Sequence, residues 1–317
     1  MKALVYPQFG PAEVLEWVDD WPYPALTEHS VLVKTVAGSI NPKDILLRKG
    51  KFSGTFARDP LPRATGLDVA GHVVAVGKKV VDFAVGDSVY GMTNHFAGGV
   101  HVAVAHFQQN EIQHAPNNLS LEIAAAIPLA AQTALQALRD CCAIKPGQKV
   151  LINGASGGVG HFAVQIANIM GAETHAVCGP NNVDFVKSLG AKVVYNYASQ
   201  SITEINTKFN AIFDAFGNYD KAKLAQQLAK RGVYVSTVPK RATLQGELLA
   251  RLGVQKSSRL VVVRSNSVNL LQLKHWIEQG LLKPHVEKFY PVANAIDAHK
   301  HVESRHTVGK VCIAFNE

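Results

Sequence analysis

Val150-Leu-Ile-Asn-Gly-Ala-Ser-Gly-Gly-Val-Gly160 is the stretch that decides the fold of this chain, and a second apolar run follows it up to Met170. The first run ends in a glycine-rich turn, and Phe162, Ile166 and Ile169 then recur at helical spacing. A strand, a glycine loop and a helix in this order are typical of dinucleotide-binding folds, in which the helix N-terminus faces phosphate groups. The pattern therefore predicts a dinucleotide site.

The glycine pattern departs from the strict G-x-G-x-x-G fingerprint because Ala155 stands at its first position. Gly157 would let the backbone approach a pyrophosphate, and Gly160 would let the helix pack close to the strand. A glycine cluster also occurs in ordinary surface turns, which is the alternative interpretation. The apolar run 174–178, expected to form the second strand of a βαβ unit, favours the dinucleotide site.

The end of that second strand bears on which dinucleotide binds. NAD-binding folds usually carry an Asp or Glu there, for the ribose 2′-hydroxyl. This strand ends instead in Cys178-Gly-Pro-Asn-Asn182, while Glu173 lies at its other end and Asp184 falls in the next helix. A 2′-phosphate would not be repelled, and the backbone and amide groups of 179–182 would donate to it. We predict NADPH; the alternative is that either cofactor binds.

The order of predicted elements indicates an α/β protein. Short β-rich runs separated by Gly, Pro and Asp predict an all-β module over about the first 115 residues, followed by an alanine-rich helical region interrupted at Pro128. Strands alternating with helices then indicate a doubly wound parallel sheet. The predicted strands are 31–36, 72–76, 88–90, 100–104, 192–195, 211–214, 233–238, 261–263 and 310–314, and the predicted helices are 181–189, 220–230 and 269–280.

Composition limits the class of protein. The 317 residues suit one or two domains, and 32 Lys and Arg against 24 Asp and Glu give a net charge of +8. The basic residues form no run of five, so we expect a solvated surface that attracts an anionic cofactor rather than a nucleic-acid-binding protein. Four cysteines without a C-x-x-C pair indicate a reducing compartment, and no apolar run reaches the length of a membrane helix. We expect a cytoplasmic location.

Further motifs extend over nearly the whole chain: Ser39-Ile-Asn-Pro-Lys-Asp44, Gly66-Leu-Asp-Val-Ala-Gly71, Phe83-Ala-Val-Gly-Asp-Ser-Val-Tyr-Gly91, Ile127-Pro-Leu-Ala-Ala-Gln-Thr-Ala134 and Gly309-Lys310-Val311. Together they resemble the zinc-independent medium-chain dehydrogenases/reductases, in the branch of quinone oxidoreductases and enone reductases. The resemblance implies a GroES-like, β-rich catalytic domain over 1–122 and 268–317. It also implies an inserted Rossmann domain that binds NADPH over 123–267, and a homodimer.

Zinc-dependent relatives in this family use a Cys and a His where this chain has Asn41 and Leu67, and a four-cysteine structural loop where 90–112 holds no Cys. Zinc sites in proteins need thiolate or imidazole ligands. We therefore predict no metal site.

The resemblance also implies roles for particular residues. Asn41 would lie beside the nicotinamide, although an Asn before Pro42 also suits a plain turn. Asp44 would hold the loop and contact ribose. Phe52 and Leu46 replace the Tyr and Lys of relatives, so Lys43 is a substitute candidate for the proton donor; the alternative is a proton from solvent or from a ribose hydroxyl. The residues predicted to contact the cofactor are Asn41, Thr133, Ser156, Gly157, Gly158, Val159, Gly160, Cys178, Gly179, Asn181, Asn182, Tyr197, Ser236, Val238 and Lys310.

We therefore predict an enzyme that transfers hydride from NADPH to quinones or to the C=C bond of α,β-unsaturated carbonyl compounds. Without zinc nothing acidifies an alcohol, whereas an activated C=C bond needs only hydrogen-bond donors at the carbonyl oxygen. The alternative is a non-catalytic, NADPH-binding structural or regulatory protein with weak affinity for RNA.

Overall fold

The computed structural model describes residues 1–219, 221–254 and 257–315 and divides into two compact units. Unit 1 comprises Met1–Leu129, Arg264–Gly280 and the residues from Pro284 onward; unit 2 comprises Ala130–Val263 and Leu281–Lys283. The predicted domain boundaries at 122/123 and 267/268 lie close to these divisions and stay a prediction. No helix in the described chain is long and apolar enough to cross a membrane.

Unit 1 is built on two β-sheets. Its larger sheet has the order β15-β16-β3-β5-β6-β8, with β7 also paired to β3, and its smaller sheet has the order β2-β1-β4. The strands are β1 Ala3–Tyr6, β2 Glu16–Val18, β3 Ser30–Ile40, β4 Arg63–Ala64, β5 Asp68–Val76, β6 Ser88–Met92, β7 Val104–Gln108, β8 Ile112–His114, β15 Val286–Pro291 and β16 Lys310–Ala314. The helices are α1 Pro42–Arg48, α2 Leu121–Ala124, α7 Ser267–Glu278 and α8 Ala295–Glu303, with Pro128 and Leu129 opening α3.

Unit 2 is a six-stranded sheet, and every pair of neighbouring strands in it is parallel. Its order is β11-β10-β9-β12-β13-β14, which numbered from the first strand is 3-2-1-4-5-6, the order of Rossmann folds. The strands are β9 Lys149–Asn153, β10 Glu173–Cys178, β11 Val193–Asn196, β12 Phe209–Asp214, β13 Leu228–Ser236 and β14 Ser258–Leu260. The helices are α3 Pro128–Leu135, continued by a π-helical turn Gln136–Cys141, α4 Gly160–Ile169, α5 Val183–Ser188 and α6 Arg241–Arg251. The predicted fold class is confirmed.

Three predicted elements are wrong in position or kind. No α-helix occupies the described residues of 220–230, which hold a 3-10 turn at Ala225–Gln227 and the start of β13; Asp220 lies outside the described residues. Leu224 is buried and the Gln227 amide donates to the Thr203 carbonyl, so tertiary contacts outweigh helix propensity here.

The strand predicted at 100–104 starts later, at Val104. The backbone before it bonds mainly to β1, Thr65 and Gly66, and its contact with β3 is a single bond from the Thr35 N–H to the Ala103 carbonyl. The final strand of unit 2 lies at Ser258–Leu260 rather than at 261–263. The Val261 N–H still donates to the Ser236 carbonyl, so the pairing with β13 extends by one residue beyond the strand.

Candidate functional site

The glycine loop of unit 2 connects β9 to α4. Gly154 has φ +78°, a left-handed conformation that suits glycine, so the sharp turn falls one residue before Ala155. The Ala155 N–H donates to the Val177 carbonyl of β10 (3.0 Å) and fixes the loop on the sheet. A side chain at Gly160 would place its Cβ 2.0 Å from the Gly154 carbonyl oxygen. The loop thus needs Gly at 154 and 160 and tolerates Ala155 between them.

The middle of the loop is open. A Cβ at Gly157 would find its nearest neighbour, the Gly154 carbonyl oxygen, at an ordinary 3.5 Å. Within the part of the chain that the structure describes, the N–H groups of Gly158 and Val159 have no acceptor. Unpaired N–H groups at the start of a helix form an anion-binding site. These residues therefore fit a pyrophosphate, as the sequence predicts.

A second group of predicted cofactor residues lies at the carboxyl end of β10. The buried Cys178 is followed by Gly179, where an added Cβ would lie 2.9 Å from the Tyr197 hydroxyl oxygen. The Tyr197 side chain is 58% exposed, and the Asn182 amide donates to Ser156 Oγ in the glycine loop (3.2 Å). Asn181 is exposed beside it. This strand end presents hydroxyl and amide groups and no carboxylate.

A buried carboxylate that the sequence analysis missed organises the end of β12. Asp214 accepts hydrogen bonds from the Asn153 amide (2.7 Å), the Gly217 N–H (2.7 Å), the Tyr219 N–H (3.2 Å) and the Tyr234 hydroxyl (2.9 Å). These bonds fix the segment 215–219 beside the glycine loop. The missed signal was an Asp at the end of an apolar strand, directly before Ala-Phe-Gly217.

The residues predicted near the nicotinamide lie partly beside this segment. A Cβ at Gly217 would lie 2.1 Å from Val238 Cγ2, and the Val238 N–H donates to the buried Ser236 hydroxyl (3.1 Å). Thr133 is buried within α3.

In unit 1, Asn41 lies at the centre of a buried polar network. Its amide nitrogen donates to the Ser39 carbonyl (3.1 Å) and to Asp68 Oδ1 (3.0 Å), and its Oδ1 accepts from the Lys310 ammonium (2.6 Å). Because an ammonium only donates and a carboxylate only accepts, these partners fix the orientation of the amide. Asn41 is 1% exposed and both of its amide hydrogens are used. Asn41 is therefore an internal residue, and the Lys310 side chain that bonds to it is buried as well.

Asp68 is the main hydrogen-bond acceptor in this network. Besides Asn41, its carboxylate accepts from the Ser39 hydroxyl (2.7 Å) and from the Leu129 N–H (3.2 Å). Burial raises the pKa of Asp68, and the positive charge of Lys310 opposes that shift.

Asp44 caps α1. Its Oδ2 accepts from the Asn41 N–H (2.8 Å), whereas its Oδ1 is buried with no partner among the described residues. Burial, and next the nearby charge of Asp68, raise the pKa of Asp44 to about 7. The predicted loop-holding role of Asp44 agrees with this capping bond. Its predicted contact with ribose stays a prediction.

The raised pKa of Asp44 makes stability depend on pH. Between about pH 4 and pH 7 the folded chain keeps a proton that the unfolded chain releases, so the free energy of unfolding falls as pH rises through this window. Asp44→Asn keeps an acceptor for the Asn41 N–H and removes this titration. We expect the variant to be about 1–3 kcal/mol more stable than the parent at pH 8, with a flatter pH profile in urea unfolding.

Asp184→Asn is the matched control, because the Asp184 side chain is fully exposed in the structure. Its stability profile should follow that of the parent. An Asp44→Asn profile as steep as the parent's would show that Asp44 does not carry the effect.

Lys43 differs from its neighbours in having unused donors. It is half-buried in the first turn of α1, with Nζ 4.1 Å from the centroid of the Phe96 ring. No acceptor or carboxylate in the described chain hydrogen-bonds to its ammonium. Burial lowers its pKa, and the Asp44 charge opposes that shift. Of the three predicted catalytic residues, Lys43 is therefore the one able to donate to a ligand.

Asn41 and Leu67 stand where the zinc-dependent relatives have zinc ligands. The Asn41 amide is hydrogen-bonded to Asp68, and the Leu67 side chain is fully buried. Neither offers a thiolate or an imidazole. In residues 1–219, 221–254 and 257–315 no three His, Cys, Asp or Glu side chains are placed to hold a metal ion. The absence of a metal site stays a prediction.

Known proteins with similar sequences and structures cover the chain from end to end. Family models described as alcohol dehydrogenase GroES-like domain and as zinc-binding dehydrogenase match residues 27–117 and 189–313. The chain is 32% identical to the chloroplastic NADPH-dependent alkenal/one oxidoreductase of Arabidopsis thaliana, over 99% of this chain and 79% of the relative.

Two solved structures share the whole fold. The quinone oxidoreductase from Coxiella burnetii is 29% identical with a TM-score of 0.90, over 100% of this chain and 99% of that one. The Escherichia coli quinone oxidoreductase complexed with NADPH is 26% identical with a TM-score of 0.82, over 99% and 100%. The sequence, the strand order and these likenesses agree. The chain belongs to the medium-chain dehydrogenase/reductase family, in its branch of quinone oxidoreductases and enone reductases, and is an oxidoreductase.

Proposed function

We propose that this oxidoreductase uses NADPH to reduce quinones or the C=C bond of α,β-unsaturated carbonyl compounds. The observation that carries the choice of cofactor is the end of β10, where Cys178 and Gly179 stand in place of a carboxylate and the Tyr197 hydroxyl lies beside Gly179. A relative named as NADPH-dependent and a structural neighbour complexed with NADPH support the same choice.

The residues of unit 2 fit this cofactor. The free N–H groups of Gly158 and Val159 would hold the pyrophosphate, and Tyr197, Asn181 and Asn182 would donate to the 2′-phosphate. Thr133, Ser236 and Val238 are the candidates for the nicotinamide end. Once bound, NADPH supplies the hydride.

The chain itself must stabilise the negative charge that develops on the substrate oxygen. The Lys43 ammonium, in the first turn of α1, has no hydrogen-bond acceptor among the described residues, so we assign it that role and the delivery of the proton. Asn41, Asp68 and Lys310 form a fixed support at the start of α1 and hold the helix turn that bears Lys43.

The reaction is tested by NADPH oxidation at 340 nm with a benzoquinone, a short alkenone and a 2-alkenal, with NADH as the comparison. We expect turnover of at least one class, faster with NADPH. Saturable NADPH binding without turnover of any class would overturn the reductase and leave the non-catalytic alternative, for which salt-sensitive RNA retention is the check.

The cofactor assignment has its own test. Tyr197→Phe removes one hydrogen bond to a charged phosphate, so we expect the Kd for NADPH to rise about tenfold and the Kd for NADH to stay unchanged. Fluorescence titration measures both values. Tyr23→Phe, an exposed tyrosine of unit 1, is the control and should bind both cofactors as the parent does. An equal effect of Tyr197→Phe on both cofactors would show that its hydroxyl does not read the 2′-phosphate.

The predicted homodimer and the predicted cytoplasmic location also stay proposals. β14 is one of the two edge strands of the unit 2 sheet and is three residues long. An edge strand presents unpaired backbone groups to a second chain. Sedimentation analysis of the full chain decides between a monomer and a dimer.

A further inference from the structure

Three phenylalanine rings stand together in unit 1 beside the start of α1. The Phe52 and Phe96 ring centroids are 5.5 Å apart with planes at 83°, and those of Phe56 and Phe96 are 5.4 Å apart with planes at 34°. Such distances are typical of attractive aromatic pairs. We call these three rings, together with the Lys43 ammonium over Phe96, the aromatic patch.

One side of the aromatic patch packs on buried residues, and its other side is exposed to solvent. Phe52 and Phe96 pack on the buried Leu47, Ala57 and Ala97, whereas the Phe56 side chain is 64% exposed. The Phe56 ring is the exposed member of this packed cluster, so its face can contact a bound molecule. The patch is thus fixed in place and presents one aromatic surface to solvent.

The patch is also tied to the polar network of the candidate site. Met92 pairs with Asp68 across β5 and β6, and the segment that follows Met92 carries Phe96. Asp68 in turn accepts from the Asn41 amide at the start of α1, the helix that carries Lys43. Lys43 and Phe96 are therefore carried by two segments that both meet Asp68, one through its carboxylate and one through its backbone.

We propose that the aromatic patch recognises planar carbonyl compounds conjugated to an aromatic ring. The exposed Phe56 ring stacks on the flat conjugated part of the substrate, and the Lys43 ammonium donates a hydrogen bond to its carbonyl oxygen. An ammonium already placed over one ring and free of any carboxylate partner keeps its N–H groups for such an acceptor. This inference rests on the proposed function and names its substrate class.

The test compares two alkenones that differ in one group, 4-phenyl-3-buten-2-one and 3-penten-2-one. We expect the parent to prefer the phenyl compound in kcat/KM, and Phe56→Ala to lower the phenyl-to-methyl ratio about tenfold, because a stacked ring pair and its buried area are lost. Phe289→Ala, which removes an exposed ring from β15, is the control and should leave the ratio unchanged. A ratio that does not change in Phe56→Ala would overturn the proposal.

The role of Lys43 is tested on the same pair. Lys43→Met should lower kcat for both compounds by at least tenfold and abolish the dependence of kcat on lysine ionisation at alkaline pH, while Lys43→Arg restores part of kcat. A Lys43→Met variant with the parent's pH profile would exclude Lys43 from the reaction.

Direct binding separates this inference from the proposed function. Calorimetric titration of 4-phenyl-3-buten-2-one into the NADP⁺-loaded chain should show binding that weakens in Phe56→Ala and not in Phe289→Ala. Such binding without turnover would support the aromatic patch and overturn the reductase. Turnover without any effect of Phe56→Ala on binding would support the reductase and overturn the aromatic patch as its recognition site.

Discussion

Lys310→Met is expected to lower the free energy of unfolding by about 3–5 kcal/mol, because it removes the cation from a buried set of carboxylates. Lys310 is 4% exposed and donates to Asn41 Oδ1 and to the Ile40 carbonyl, while Asp68 and Asp44 are fully buried nearby. Burial already raises the pKa of both carboxyl groups, and Lys310 opposes that shift in each. Urea unfolding of the parent and of Lys310→Met at pH 8 measures the loss.

Two further variants isolate the electrostatic cause. Lys34→Met removes an exposed lysine from β3 of the same sheet and should change the free energy of unfolding by less than about 0.5 kcal/mol. Asp68→Asn in the Lys310→Met background removes one uncompensated charge, so part of the stability should return. If the double variant is no more stable than Lys310→Met alone, lost packing and not lost charge is the cause.

The part of the fold that the sequence predicts well is the part set by local pattern. The glycine loop, the helix after it and the parallel strands of unit 2 follow from apolar periodicity and from glycines whose positions the backbone requires, at Gly154 and Gly160. The helix predicted over 220–230 is absent from the described residues because contacts distant in sequence decide the structure there. Its helical propensity is local, whereas the burial of Leu224 and the bond from Gln227 to Thr203 depend on chain far away in sequence.

The candidate site shows the same limit at the level of single side chains. Asn41 and Lys310 are 269 residues apart in sequence, and no spacing rule predicts that the ammonium of one bonds to the amide of the other. Through this bond Asn41 supports the start of α1, and its predicted place beside the nicotinamide stays a prediction. Lys43 keeps N–H groups without an acceptor among the described residues, since its contact in the fold is the Phe96 ring.

Gly160→Ala and Gly157→Ala are expected to separate folding from cofactor binding. The Cβ of Gly160→Ala would lie 2.0 Å from the Gly154 carbonyl oxygen and 2.8 Å from Ala155 Cα, so the loop or α4 must move. Overpacking of this kind costs about 1–3 kcal/mol of stability. If the displaced loop also loses two N–H bonds to phosphate, NADPH affinity falls about 100-fold.

Gly157→Ala is the matched variant, because its Cβ meets nothing closer than 3.5 Å in the chain itself. We expect it to unfold at the parent's urea concentration and yet to bind NADPH at least about tenfold more weakly, since the new methyl group occupies the approach to the pyrophosphate. Unfolding by urea and fluorescence titration with NADPH give the two readings for each variant. Parent-like NADPH binding by Gly157→Ala would place the pyrophosphate elsewhere, and parent-like stability of Gly160→Ala would show that the contact of α4 with the loop yields without cost.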